Sequence, residues 1–350
     1  MQEQKPLVSV SMITFHAQDF ISEAIEGVLK QQVDFPIELV IGDDSSQDQT
    51  RAICEAYAAR HPEIIRVLPS ENNLGIAANT ARTMGKCTGK YIAVCDGDDV
   101  WTDPLKLKKQ VSFLERNPDY GVVYSDVVTI SDSGTYIGDP DQDNIRKMYQ
   151  TGSVFLDLLQ SNFINNSTAV FRREHLNGHV VFPDRTYQIP DYLRWLHIAT
   201  RSKVHFINEK TTAYRRHDNG LSLNVPKALA RGNWRAYQRS LFRILPEFDR
   251  YNNRTLSLYE KKLVFRKLLS LIWRPSGSLR MKWQVVQLLP KYFPGMNYCL
   301  NLGSGKLLSL IPAPVRHKMA LNFYMTSNVA PITRLESITL LLQEQLIISL

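Results

Sequence analysis

The sequence predicts an α/β fold, a sheet rich in parallel strands with helices on both faces. Two observations predict it. Over the first 130 residues, short apolar runs alternate with amphipathic helical stretches, and strands joined by helical crossovers lie parallel. Three of the apolar runs end in polar clusters: Thr14 to His16, Asp43 to Ser46, and Asp96 to Asp99. Ligands of such sheets bind beyond the carboxyl ends of the strands, so these clusters are expected to gather along one edge.

The elements follow in order. LVSVSMITF (7–15) is the first strand. DFISEAIEGVLKQQ places Phe20, Ile21, Ala24, Ile25, Val28 and Leu29 on one helical stripe. IELVIGDD (37–44) is the second strand. The second helix, DQTRAICEAYAARHP, has Ser46 or Asp48 as N-cap, Ala52, Ile53, Ala56 and Tyr57 inward, and a stop at Pro62. IIRVL, YIAVC and YGVVYSDVVTI are further strands. GIAANTARTMGKC is a helix, and DPLKLKKQVSFLERNP is another, with Pro104 in its first turn. Beyond residue 131 come a polar loop, a helix–loop–strand unit (VFLDLLQSNFINNSTAVFRREHL), the amphipathic helix PDYLRWLHIAT, and the strands KVHFINE and TTAYRRH.

Composition and charge narrow the function classes. The formal net charge is +8, from 42 Lys and Arg against 34 Asp and Glu. Twelve of the basic residues fall between Lys261 and Arg334, a stretch with no acid. A mildly acidic body with a basic C-terminal region points to a polyanionic partner. No nucleic-acid motif or base-stacking cluster accompanies the basic residues, so nucleic acid is not the expected partner. KKLVFRKLLSLIWR and MKWQVVQLLPKYF mix Lys and Arg with Leu, Val, Phe and Trp, as interfacial helices on anionic membranes do. The alternative is two helices packed on the catalytic domain. SITLLLQEQLIISL is apolar but short, a docking helix or a homo-oligomer contact. Cys54, Cys87, Cys95 and Cys299 have no CxxC spacing and read as reduced thiols. With no signal-peptide pattern and no long apolar run, the expected location is cytoplasmic, peripheral on the inner membrane face. Asn165-Asn166-Ser167 and Asn253-Arg254-Thr255 fit the glycosylation sequon and are read as chance matches.

YIAVCDGDDVW (91–101) concentrates the chemistry. Asp-x-Asp at a strand end is hard-oxygen chemistry suited to Mg²⁺ or Mn²⁺, which keep waters and bridge to substrate phosphates. Taken alone, the acids also fit a solvated turn, or the nucleophile of a haloacid-dehalogenase-type phosphatase with Asp96 attacking. That motif belongs on a first strand, and three strands precede it here. Asp103, before Pro104, reads as a helix cap.

VSVSMITFHAQDFISEAIEGVLKQ, ELVIGDDSSQDQT, ENNLGIAANTARTMGKCTGKYIAVCDGDDVW and DYLRWLHIA…HFINEKTTAYRRH together resemble the family 2 glycosyltransferases, over about residues 6 to 222. The resemblance implies a GT-A fold, with a mixed, mainly parallel sheet, in residues 1–225, whereas 226–350 reads from its own composition as a helical basic region. It implies an inverting enzyme that moves a sugar from a nucleotide-diphospho-sugar, a UDP-sugar first among them. The acceptor is a hydroxyl of a saccharide or lipid-linked saccharide, in cell-surface polysaccharide synthesis. Thr14, Phe15 and His16 stand where members touch the base, although members more often carry Tyr-Asn there. Asp44, beside Asp43, matches the acid that recognises uracil or ribose. Asn73 and Gly75 lie in the loop before the third helix, and Arg82 matches a basic residue near the diphosphate. Asp96 and Asp98, around Gly97, match the metal- and ribose-binding pair, with Asp99 an outer-shell acid or a cap. Asp191 matches the general base, and His217 stands where some members add a metal or phosphate contact. Plain structural roles compete: helix capping for Asp43, Asp44 and Asp191, a solvent-facing Arg82, a loop His217. Trp101, Trp195 and Tyr192 read as packing residues.

Overall fold

The computed structural model describes residues 5–176, 190–218 and 220, with the single positions 244 and 264. Spatial contacts divide the chain into Met1–Asn253 and Arg254–Leu350, and every element below lies in the first unit. The expected basic interfacial helices and the apolar C-terminal run fall outside the described residues. Among the described residues, no helix is long and apolar enough to cross a membrane.

The expected alternation is present. The strands and helices run β1 (Val8–Thr14), α1 (Ile21–Leu29), β2 (Ile37–Asp43), α2 (Thr50–Arg60), β3 (Ile65–Leu68), α3 (Ile76–Met84), β4 (Tyr91–Val94), β5 (Val100–Trp101), α4 (Lys106–Arg116), β6 (Tyr120–Ile130), α5 (Pro140–Arg146), α6 (Phe155–Gln160), β7 (Val170–Arg172), α7 (Pro190–Ala199) and β8 (Lys203–Arg215). One sheet takes all eight strands in the order β3-β2-β1-β4-β7-β6-β8-β5. The pairs β1–β2, β1–β4, β2–β3 and β6–β8 are parallel. The pairs β4–β7, β6–β7 and β5–β8 are antiparallel. The sheet is therefore mixed and mainly parallel.

Burial follows the side-chain periods. Val8, Val10 and Met12 of β1 alternate toward a core that receives Ile21, Ala24, Ile25 and Val28 of α1 and Leu107, Val111 and Leu114 of α4. Each buried Val, Leu, Ile or Met among them contributes about 1.5–3 kcal/mol. On α2 the inward face differs from the expected one. Cys54 and Tyr57 are buried, whereas Ala52 and Ala56 are exposed. The larger side chains take the core and leave the alanines to water. The two strands read separately beyond Lys203 form the single strand β8, with register shifts against β6 around Asp126.

Because β2, β1 and β4 are neighbours, their carboxyl ends meet. Asp44 N donates to Thr14 O at 3.0 Å, and Gly97 N donates to Ile13 O at 3.0 Å. Two non-glycine residues there, His16 (φ 50°) and Ser45 (φ 67°), adopt left-handed backbone, a strained state that concentrates at functional sites.

Candidate active site

The nucleotide-side wall is built at the β1 and β2 ends. Phe15 is 47% exposed, and its ring stacks on His16 with centroids 3.9 Å apart. His16 N donates to Ser46 Oγ at 3.0 Å, which fastens the β1 turn to the β2 turn. Thr14 is buried beneath them, and its Oγ1 has no partner among the described residues.

The two adjacent acids do different work. Asp44 spends both oxygens on backbone, accepting from Leu74 N at 2.7 Å and Gly75 N at 2.9 Å. Asn73 Nδ2 donates to Asp44 O. Gly75 sits at φ 81°, so a side chain there would be strained. Asp43 accepts from Ser46 N through Oδ2, while its buried Oδ1 has no partner among the described residues. A buried carboxylate oxygen without a donor is costly, and it suits a ligand N–H. Arg82 is drawn inward. Its guanidinium donates to Asp43 O, Leu68 O, Pro69 O and Asn79 Oδ1. It thereby ties the β2 and β3 ends to α3.

The acidic turn follows β4. A Cβ on Gly97 would lie 2.8 Å from Thr14 Cβ and Oγ1, which explains the glycine between the acids. Asp96 faces a short 3-10 turn, Asn166–Thr168. Asn166 Nδ2 donates to both Asp96 oxygens at 3.0 Å, and Ser167 Oγ accepts from Asp96 N at 3.0 Å. Burial, reinforced by the Asp98 charge, pushes the Asp96 carboxyl up to about 7 against the Asn166 bonds. Asp98 projects the other way. Its Oδ2 lies 3.2 Å from His217 Nε2, and its side chain is 37% exposed. Asp99 is buried and accepts Arg215 N at 3.0 Å, so it bonds the turn to β8. Burial also drives its carboxyl well above the usual range. Asp103 is not the α4 cap it was expected to be: the cap position is Leu105, which makes no side-chain cap bond, and Asp103 accepts Leu105 N in the turn before the helix.

Asp191 opens α7 and accepts from Asn162 Nδ2 at 3.2 Å. Burial raises its carboxyl, opposed first by the charge of Arg194. The Asp191 charge adds to the upward push on Asp96. Trp101 and Trp195 are buried packing residues, and Trp101 Nε1 donates to Ser167 O.

Four residues that the sequence reading did not single out shape this site. Asn162 and Asn166 hold Asp191 and Asp96. Arg194, 1% exposed, donates to Asn166 Oδ1 at 2.8 Å. Arg215 binds Asp98 O, Ser131 O and Asp132 O and pairs with Glu23, with its guanidinium 4.8 Å from the Phe20 ring. One signal for Arg194 was available: a cation within the apolar run Leu193–Ala199 must have a buried partner.

Among the described residues, no group of three His, Cys, Asp or Glu could enclose a metal ion. The Asp98–His217 pair still fits the hard divalent cation expected here. Such ions bind one or two protein groups and take their other ligands from phosphates and water.

Comparison with known proteins agrees with this geometry. The model for glycosyl transferase family 2 matches residues 9–179. A putative teichuronic acid biosynthesis glycosyltransferase of Bacillus subtilis, TuaG, is 30% identical over 245 residues, which make up 68% of this chain and 90% of TuaG. The chain belongs to glycosyltransferase family 2. An uncharacterized Mycobacterium tuberculosis protein is 34% identical over 214 residues, 61% of this chain and 60% of that protein. The chain thus spans about three fifths of the length of this mycobacterial relative. The structure of S. aureus TarS 1-349 in complex with UDP-GlcNAc superposes with a TM-score of 0.54 at 17% identity, covering 83% of this chain and 87% of that one. That likeness shows the GT-A fold. Family 2 membership also removes the phosphatase reading. Asp96 lies in the turn after the fourth strand, and both its oxygens are held by an amide.

Proposed function

We propose that this transferase moves a sugar from a UDP-sugar to a hydroxyl of a saccharide or lipid-linked saccharide, with inversion at the anomeric carbon. The observation that carries the reading is the arrangement of acids along one sheet edge. Asp43 keeps a buried oxygen with no partner among the described residues, Asp98 is part-exposed beside His217, and the Asp191 charge reaches Asp96.

Asp43, rather than Asp44, takes the base or ribose donor, because only Asp43 has an oxygen to spare. Phe15 and His16 offer the base a stacking surface. Asp98 and His217 would hold Mn²⁺ or Mg²⁺, with Asp96 turned toward the ribose. A divalent cation there supplies Lewis-acid stabilisation of the charge on the leaving diphosphate. Asp191 accepts the proton of the attacking hydroxyl on the face opposite the leaving group. Its raised affinity for a proton suits that task. Arg82 holds the loop that frames the diphosphate, and Gly75 supplies the positive-φ turn in it. TuaG is named for teichuronic acid biosynthesis, which supports an acceptor in cell-surface polysaccharide. The basic region between Lys261 and Arg334 supports attachment to an anionic inner-membrane surface, where a lipid-linked acceptor lies.

Nucleotide release from a panel of UDP-, GDP- and dTDP-sugars, with Mn²⁺ or with chelator, tests the reading. Metal-dependent UDP release that disappears in Asp98→Ala supports it. No release from any donor sinks it.

A further inference from the structure

Arg194 is fully buried on α7, with its guanidinium 4.7 Å from the Trp195 ring centroid and 5.5 Å from that of Phe171, and its N–H groups are only partly spent. Nη2 makes a strong bond to Asn166 Oδ1 at 2.8 Å. Nη1 meets only the weak acceptor Met84 Sδ, and Nε has no partner among the described residues. A buried guanidinium with so few acceptors costs stability unless nearby negative charge offsets it. Here that charge comes from Asp191 and Asp96.

The bonded partner, Asn166, has one remaining freedom. Its turn is already fixed from below. Trp101 Nε1 donates to Ser167 O, Lys106 Nζ and Gln110 Nε2 donate to Thr168 O, and Ser167 N donates to Asn165 Oδ1. The backbone therefore stays in place without Arg194. The side-chain amide of Asn166, however, has two orientations half a turn apart. In one, Nδ2 donates to both Asp96 oxygens and Oδ1 accepts from Arg194. In the other, Oδ1 faces two carboxylate oxygens and Nδ2 faces a guanidinium, so acceptor meets acceptor and donor meets donor. The Asp96 carboxylate and the cation both favour the first, and Arg194 anchors the amide from its oxygen end.

We propose that Arg194 is a positioning residue that, by fixing the Asn166 amide, orients the Asp96 carboxylate for the nucleotide. This rests on the reading of Asp96 as a nucleotide contact. Asn162 plays the parallel part for Asp191, so one loop carries the holders of both acids and Arg194 stands between them.

Calorimetric titration of the full chain with UDP, GDP and dTDP at fixed Mn²⁺ tests this. Wild type is compared with Arg194→Met, Arg194→Lys, Asn166→Ala and the Arg194→Met/Asn166→Ala pair. We expect Arg194→Met to weaken binding of the preferred nucleotide about tenfold, the scale of one charge-assisted hydrogen bond. Arg194→Lys keeps a charged donor to Asn166 and is expected within about threefold of wild type. Asn166→Ala is expected to lose as much as Arg194→Met, and the double variant no more than either, because one device is removed twice. A purely structural role would lower the melting temperature while leaving nucleotide affinity in place. Wild-type affinity in Arg194→Met, or losses that add, would overturn the proposal. Should Arg194→Met not fold, wild-type affinity in Asn166→Ala overturns it equally. A wild type that binds none of the three nucleotides fails earlier, at the functional reading, and takes the proposal with it.

Discussion

His217 Nε2 stands 3.2 Å from Asp98 Oδ2, although 119 residues separate them. The Phe20 ring braces the imidazole with centroids 4.7 Å apart. The pairing exists because β5 joins β8 through Val100↔Ala213 and Trp101↔Thr212. That register brings the end of β8 back to the acidic turn, where Asp99 accepts Arg215 N.

His217→Ala should therefore weaken Mn²⁺-dependent UDP binding by about 10- to 100-fold, the usual scale for losing support of a metal ligand. Folding should be preserved, because the strand pairing does not depend on the imidazole. Titration calorimetry with and without Mn²⁺ reads this directly. Unchanged metal dependence in His217→Ala would remove His217 from the site.

Asp43 and Asp44 should separate under mutation. Asp44→Ala strips acceptors from Leu74 N and Gly75 N and should cost about 1–3 kcal/mol of stability. Asp43→Asn keeps the shape and should leave the melting temperature nearly unchanged while weakening UDP binding. Thermal melts paired with UDP titration check both. The reverse pattern would assign the base contact to Asp44.

Asp191→Asn should lower kcat by about 10²- to 10⁴-fold, the range for a lost general base, with UDP affinity retained. A general base works only when unprotonated, so the wild-type rate should fall as pH drops through the Asp191 pKa. Burial raises that pKa above the ordinary 3.8. A pH–rate profile flat down to the ordinary carboxylate range would speak against Asp191.

Lys106 provides a stability test away from the chemistry. It is fully buried, donating to Gln110 Oε1 and Thr168 O with its Nζ 4.6 Å from the Trp101 ring centroid. Burial pushes it down from 10.5 to about 7. Between those values the unfolded chain holds a proton that the folded chain has released, so stability from this group rises with pH across the window. Below about 7 both states are charged and the burial cost stands in full. Any stability gained by Lys106→Met should therefore be greatest below pH 7 and shrink toward pH 9. Denaturant melts of both proteins across that range measure it, and a pH-independent difference would mean that Lys106 stays charged throughout.

The parts of this site legible in the sequence are those that local pattern carries. Apolar runs ending in Thr14, Asp43 and Asp96 marked the strand ends, and parallel pairing of β1 with β2 and β4 brought them together. The spacing of Asp96, Gly97 and Asp98 was readable too. The division of labour within the acids was not, since it depends on Leu74, Gly75 and Ser46 backbone groups up to 31 residues away. Asn166 and Arg215 act on the acidic turn across 70 and 117 residues, distances closed by β7, which pairs with β4, and by β8, which pairs with β5. The α2 face was misjudged because alanines at helical spacing looked apolar enough to bury, while Cys54 filled the core instead.

The account stands most directly on metal-dependent binding of a nucleotide-sugar at Asp98. Calorimetric titration of UDP-sugars into the wild type and Asp98→Ala, with Mn²⁺ and with chelator, measures it. The account predicts binding to wild type with Mn²⁺, and its loss on chelation or in Asp98→Ala while the fold is kept. Equal binding in all four conditions, or none to the wild type with UDP-, GDP- or dTDP-sugars, would contradict it.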